Sequence, residues 1–155
     1  MITLRSMNSS EFKHFLENEI NEYAQWIQCA YNLSKKDAYS SATQQLSSYK
    51  YKEGLKTPNH KFYIIENKQQ INIGTLVYSF NQTDNSVWLD CIEIDPSYRS
   101  KGYGQTALKT IINMLKEQGY HHITLHVYHD NKVAQALYQK NGFEQISHIM
   151  VKTLE

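Results

Sequence analysis

The stretch Ile94–Ala107, IDPSYRSKGYGQTA, places a Gly-x-Gly behind two basic residues and ahead of a helical repeat of apolar ones. Glycines at the mouth of a helix let backbone N–H groups approach an anion, and the positive end of the helix dipole favours a phosphate there. Two unrelated phosphate-holding designs share this look, and the choice between them decides the fold. Gly102, Gly104 and Ala107 satisfy the dinucleotide pattern G-x-G-x-x-G/A, with Asp130 at the end of the next strand, where a ribose ligand would sit. In that pattern, however, the first glycine turns straight out of its strand. Here seven residues, Pro96 among them, separate Ile94 from Gly102, and only 51 residues follow Gly104, too few to complete a doubly wound sheet. No Gly-Lys-Ser/Thr is present, which excludes a P-loop.

Taken from Arg99 onward, the stretch has the form Arg-x-x-Gly-x-Gly. A loop as wide as Arg99–Gln105 can turn several N–H groups inward to meet two phosphates, and the glycines remove side chains that would block their approach. Arg99 and Lys101 supply the local positive charge.

That charge has to be local, because 16 basic against 15 acidic residues give a formal net charge of +1. Such a balance offers no general attraction to nucleic acid or to an anionic membrane. At 155 residues, with 41% apolar and 20% charged, the chain reads as one globular domain, 1–155, with a core of useful size. Cys29 and Cys91 are too few for a disulfide framework and lack metal-ligand spacing, which fits a reducing cytoplasm. The N-terminus has no unbroken apolar region of the signal-peptide kind, and no stretch is long and apolar enough to span a bilayer.

Outward from the glycine loop, Leu108, Ile111, Ile112 and Leu115 follow helical spacing up to Gly119, a natural helix stop, and HHITLHVY (121–128) alternates as a strand. Upstream, KFYIIEN (61–67), INIGTLVYSF (71–80) and SVWLDCIEID (86–95) are strand-like runs joined by short polar turns, which predicts an antiparallel meander. The last of these runs, the loop helix and 121–128 then make a parallel unit. At the start, ITLRSM (2–7) reads as a strand. A helix capped at Ser9 or Ser10 carries Phe12, Leu16, Ile20, Tyr23 and Ile27 on one stripe. A second helix opens at Ser34 and runs through Ala38, Ala42, Leu46 and Tyr49, and Lys50–His60 is a loop. A short helix from Asn131 to about Asn141 leads into a closing strand region, FEQISHIMVKTLE (143–155).

The loop together with HDNKVAQALYQKNGF (129–143) resembles the GCN5-related N-acetyltransferases. In that family Arg/Gln-x-x-Gly-x-Gly/Ala binds the pyrophosphate of acyl-coenzyme A, and an asparagine opens a later helix that ends in Leu-Tyr-x-Lys-x-Gly-Phe. The likeness is good from Ile71 to about Phe143 and holds only in outline over the first 60 residues. It implies an α/β fold with a mixed, mostly antiparallel sheet of six or seven strands flanked by four helices. It also implies direct acetyl transfer from acetyl-CoA to a primary amine, whether of a small molecule or of a protein. A domain of the same fold that binds acyl-CoA as a sensor or interaction module, without catalysis, is the alternative. A homodimer is compatible with the sequence.

The resemblance assigns Arg99, Ser100, Lys101, Gly102, Tyr103, Gly104 and Gln105 to the pyrophosphate cradle. Asn131 becomes a helix cap that also contacts the coenzyme, and backbone groups of Ile92 and Ile94 meet the acetyl carbonyl and the pantetheine arm. Tyr138 falls where many members place the acid that protonates the departing thiolate. For the base, Glu93 lies among apolar neighbours in CIEID, where desolvation would favour proton uptake, and its side chain should point away from Ile92 and Ile94. Asp90 is its rival, because the family's bulge in this strand shifts which side chains face the substrate. Seven histidines show no metal pattern: His122 and His126 share a strand face but lie roughly 13 Å apart.

Overall fold

The computed structural model describes all 155 residues, which form two compact units. The first comprises residues 1–7 and 59–145, and the second residues 8–58 and 146–155.

The first unit is built on a five-stranded sheet of β1 (Ile2–Ser6), β2 (His60–Asn67), β3 (Asn72–Asn81), β4 (Ser86–Ile94) and β5 (His122–Leu125), in that spatial order. β1 to β4 are antiparallel neighbours, and β5 runs parallel to β4. Between β4 and β5 the chain passes through α3 (Tyr103–Glu117), and after β5 it forms α4 (Lys132–Lys140). The stripe Ala107, Leu108, Ile111 and Leu115 of α3 packs with Ile65, Ile73, Leu76, Leu89 and Ile94 into the unit's core. The meander, the parallel unit and both helices stand where the sequence puts them.

The number of strands does not. The sheet has five strands rather than six or seven, and residues 144–155 carry no strand. Alternation supplies strand propensity, but a strand also needs an edge to pair with. Along this segment the apolar positions meet no core, for Ile146, Met150 and Leu154 are each more than 80% exposed. β5 likewise stops at Leu125, short of the Tyr128 expected from its pattern.

In the second unit α1 (Ser9–Tyr31) begins one residue earlier than its serines suggest. Asn8 is the cap: its Oδ1 accepts from the Glu11 N–H at 2.8 Å while Glu11 Oε1 accepts from the Asn8 N–H at 2.9 Å. This reciprocal box satisfies two orphan donors, which neither serine does here. α2 (Lys35–Gln45) is capped by Ser34, as its sequence predicts, and Leu46–Lys50 continues it as a wider π-helical turn. Ile20, Ala24 and Ile27 of α1 pack against Ala38 and Ala42 of α2. No helix is long and apolar enough to cross a membrane.

Candidate active site

Two departures from regular structure in β4 create the site. The first is a bulge. Val77 of β3 pairs with Cys91 and Tyr78 with Leu89, so Asp90 is an extra residue in the register. Val87 and Leu89 face the core before it, and Ile92 and Ile94 face the core after it. Had Asp90 taken a register position of its own in a regular ladder, the alternation would put Cys91 and Glu93 on the core side. The second departure is the loss of a neighbour. β4 pairs with β5 only from Ser86 to Leu89, so from Asp90 onward its edge toward β5 is open.

Beyond Ile94 the chain makes a single turn, Pro96–Tyr98, and enters the glycine loop. Ser100 and Gly102 both have left-handed backbones, with φ of 60° and 84°. Left-handed residues alternating with ordinary ones gather successive N–H groups into a concavity that suits an anion. The helix behind it, α3, has no side-chain cap and no acidic residue in its first turn, whereas Asn8, Ser34 and Asn131 cap the other three helices. Its first amides and its dipole are therefore available to an outside acceptor.

The two glycines differ in why they are glycines. Gly102 needs its left-handed φ. Gly104 does not: a Cβ there would meet nothing closer than Leu137 Cδ2 at 3.6 Å, an ordinary contact. Neither backbone nor packing demands glycine at 104, which fits a position kept bare for a ligand.

The cations of the loop are held by the protein. Arg99 Nε donates to the Ile94 carbonyl at 2.7 Å and Nη2 donates to Glu93 Oε1 at 3.0 Å, while Lys101 Nζ lies 5.5 Å from the centre of the Tyr98 ring. Glu93 does point away from the core, but its side chain is 38% exposed and paired with Arg99. It is not the desolvated carboxylate that its apolar neighbours suggested. The buried acid is Asp90, whose side chain is 2% exposed and whose Oδ2 lies 3.7 Å from His60 Nε2.

Tyr138 is half-buried on α4, its ring 5.7 Å from that of Phe143 and packed at the margin of the core. Burial, with a smaller contribution from the nearby Cys91 thiol, pushes its hydroxyl up to about 12. The phenol is thus in electrical reach of the residue that follows Asp90. Asn131 caps α4, its Oδ1 accepting from the Ala134 N–H at 3.2 Å. Gln105, expected at the cradle, turns its side chain to Asn141.

Sequence reasoning missed His60 and Asn141. Nothing local marks either, since each matters through a residue at least 30 positions away. One signal for the bulge was present: in VWLDCIEI, Val87–Ile94, the apolar positions switch from odd to even numbers at Asp90.

A family model described as Acetyltransferase (GNAT) family matches residues 20–143. The N-acetyltransferases YycN and YdgE of Bacillus subtilis (strain 168), both named as uncharacterized, are 25% and 27% identical to the chain. The first match covers 99% of each chain and the second 98%. The crystal structure of YycN superposes with a TM-score of 0.90 over 100% of this chain and 99% of its own, at 25% identity. A spermidine N-acetyltransferase from Vibrio cholerae, solved with CoA and spermine, shares the fold at a TM-score of 0.68 and 20% identity, over 99% of this chain and 86% of its own.

Proposed function

The chain belongs to the acetyltransferase (GNAT) family, and on that premise we propose that it moves the acetyl group of acetyl-CoA directly onto a primary amine. The observation that carries this reading is the bare, uncapped start of α3 beside the open edge of β4. Residues 1–155 are read as one transferase domain, because the family match runs through residues of both units. A cytoplasmic setting fits Cys29 and Cys91, neither of which is in a disulfide.

In this reading the backbone from Arg99 to Gln105 holds the pyrophosphate, with Ser100, Gly102 and Tyr103 shaping the cradle and Gly104 leaving room for it. Arg99 and Lys101 supply positive charge at its rim, and Asn131 borders the coenzyme while it caps α4. The open edge of β4 offers backbone groups at Ile92 and Ile94 to the acetyl carbonyl and the pantetheine amides, which would otherwise be sheet partners. No metal is needed for this chemistry.

The chemical steps divide among few groups. The acceptor ammonium loses a proton to an acid-base group on the substrate face of β4, for which Glu93 and Asp90 are the candidates. The freed amine attacks the thioester carbonyl, and the C–S bond breaks as coenzyme A leaves. Tyr138 serves the departing sulfur. Because burial holds its hydroxyl near 12, well above the range of a thiol, full transfer of its own proton to the thiolate is strongly unfavourable. Its part is to donate a hydrogen bond that steadies the developing charge, with the proton following from the acylated nitrogen through solvent.

The test is release of free coenzyme A from acetyl-CoA with a panel of amines, including small alkylamines, polyamines and peptides with free lysines or N-termini. Amine-dependent thiol release and the matching N-acetyl product support transfer. Tight acetyl-CoA binding with no amine-dependent release would mark the chain as a coenzyme-binding module instead.

A further inference from the structure

Asp90 and His60 face one another on the side of the sheet opposite the α3-packed core. His60 opens β2 and stacks on Phe62, with ring centres 5.9 Å apart and planes at 16°. The β2 residues that join the core cluster, Tyr63 and Ile65, have the other parity. Asp90 is the bulge residue, and the two residues of a bulge lean to the same side of the strand, which here is the side of Cys91 and Glu93. The carboxylate of β4 thus reaches across β3 toward the imidazole of β2, with 3.7 Å between Oδ2 and Nε2. A carboxylate is almost never this buried without a compensating partner. Its position is also particular, because Asp90 is the first residue of β4 beyond its last pair with β5, where the strand edge opens.

Glu93, the other candidate, holds Arg99 through a 3.0 Å contact, and Arg99 in turn holds the Ile94 carbonyl. That chain of contacts fixes the entry to the glycine loop. The Glu93 carboxylate is thereby engaged by a guanidinium of the loop rather than held for a substrate. An imidazole is the side chain most often used to take a proton from a reacting group and pass it on.

We infer that His60 is the proton acceptor for the amine and that Asp90 is its positioning residue. This inference rests on the transferase reading and deepens it. With Nε2 turned to Asp90, the imidazole takes one proton from the ammonium, and the imidazolium so formed is drawn to the Asp90 carboxylate. The separation of 3.7 Å is an ion-pair distance that tightens once the ring is charged. The neutral nitrogen then attacks the carbonyl carbon, the N–C bond forms, and the C–S electron pair departs on sulfur. A second proton leaves the nitrogen and ends on the thiolate, and the third stays as the amide N–H. His60 returns its proton to solvent, so each turnover releases one proton.

The experiment compares the full chain with His60→Ala, His60→Gln and Asp90→Asn, using the best amine of the panel. Thermal melts check folding, and calorimetry measures acetyl-CoA affinity. The expected result is a loss of kcat of about 100-fold or more in both His60 variants, the range general for acid-base groups, with acetyl-CoA affinity within about twofold. Added imidazole restores part of the rate to His60→Ala, which a purely structural role would not permit. Asp90→Asn is expected to lose about tenfold in kcat and to gain nothing from imidazole. His60→Gln or His60→Ala turning over within threefold of the parent overturns the inference alone, as does a folded His60→Ala whose lost rate imidazole leaves untouched. A parent that binds acetyl-CoA but shows no amine-dependent thiol release with any amine of the panel overturns this inference and the transferase reading together.

Discussion

Gln105 and Asn141 exchange two side-chain hydrogen bonds, each 2.9 Å, across 36 positions of sequence. Gln105 lies in the first turn of α3 and Asn141 just past the end of α4, where its Nδ2 also donates to the Leu137 carbonyl at 2.7 Å. The amide pair therefore ties the helix start that follows the glycine loop to the helix that carries Tyr138. Asn141→Ala leaves the half-buried Gln105 amide and the Leu137 carbonyl short of partners, at a cost of about 1–3 kcal/mol. Denaturant unfolding is expected to show that loss, and steady-state kinetics to show a raised KM for acetyl-CoA with a lowered kcat, because both ends of the tie move.

Gly104 separates packing from function. Alanine there makes only an ordinary contact with Leu137 and relieves a glycine in a helix, so Gly104→Ala is expected to hold or gain stability by up to about 1 kcal/mol. Acetyl-CoA affinity should move the opposite way, since the methyl group occupies the bare side of the cradle, and Gly104→Glu should abolish binding. Calorimetry alongside thermal melts reads both signs. Unchanged affinity in Gly104→Glu would remove this residue from the cradle.

Gly74 is the reverse case. It pairs with Ile94, and a Cβ there would lie 2.2 Å from the Glu93 carbonyl oxygen, a backbone atom that cannot swing aside. Gly74→Ala has to push β3 away from the end of β4, and a loss of about 1–3 kcal/mol or more is expected. Equilibrium unfolding in urea measures it. Parent-like stability would show that this end of the sheet yields more freely than its spacing suggests.

The Tyr138 hydroxyl sets a dependence at high pH. Burial raises it from 10.0 to about 12, so the folded chain keeps this proton where the unfolded chain has lost it. The sign follows from linkage: the stabilisation is fully present below pH 10 and is lost as pH rises toward 12. Burial raises the Tyr78 hydroxyl in the same direction, so it adds to the slope. Stability measured between pH 9 and 12 should fall steeply in the parent and less steeply in Tyr138→Phe. That variant should also lose turnover at neutral pH while keeping its acetyl-CoA affinity. Equal slopes would show that Tyr138 does not keep its proton through that range.

Much of this was open to reading because it is local. The Ser34 cap, the α3 stripe and the stop at Gly119 each rest on residues within one or two turns, and each stands where its pattern puts it. The seven residues between Ile94 and Gly102 set the glycine loop apart from a dinucleotide fingerprint on sequence alone. What escaped depends on partners far along the chain. Apolar neighbours around Glu93 suggested burial, but Arg99 draws its carboxylate outward, and the carboxylate that is buried belongs to Asp90. Alternation in residues 143–155 promised a closing strand, and alternation cannot say whether an edge stands ready to receive it.

The bulge at Asp90 also has a meaning for the lineage of this chain. β4 is two half-strands joined out of phase by a single extra residue, so its length is what makes the bulge. Loss of Asp90 would restore a regular ladder, with Leu89 facing in, Cys91 out and Ile92 and Ile94 in as before, so the core would be kept while the bulge and its buried carboxylate were lost. Related chains one residue shorter between Leu89 and Ile94 should accordingly keep the apolar face of this strand and lack the bulge.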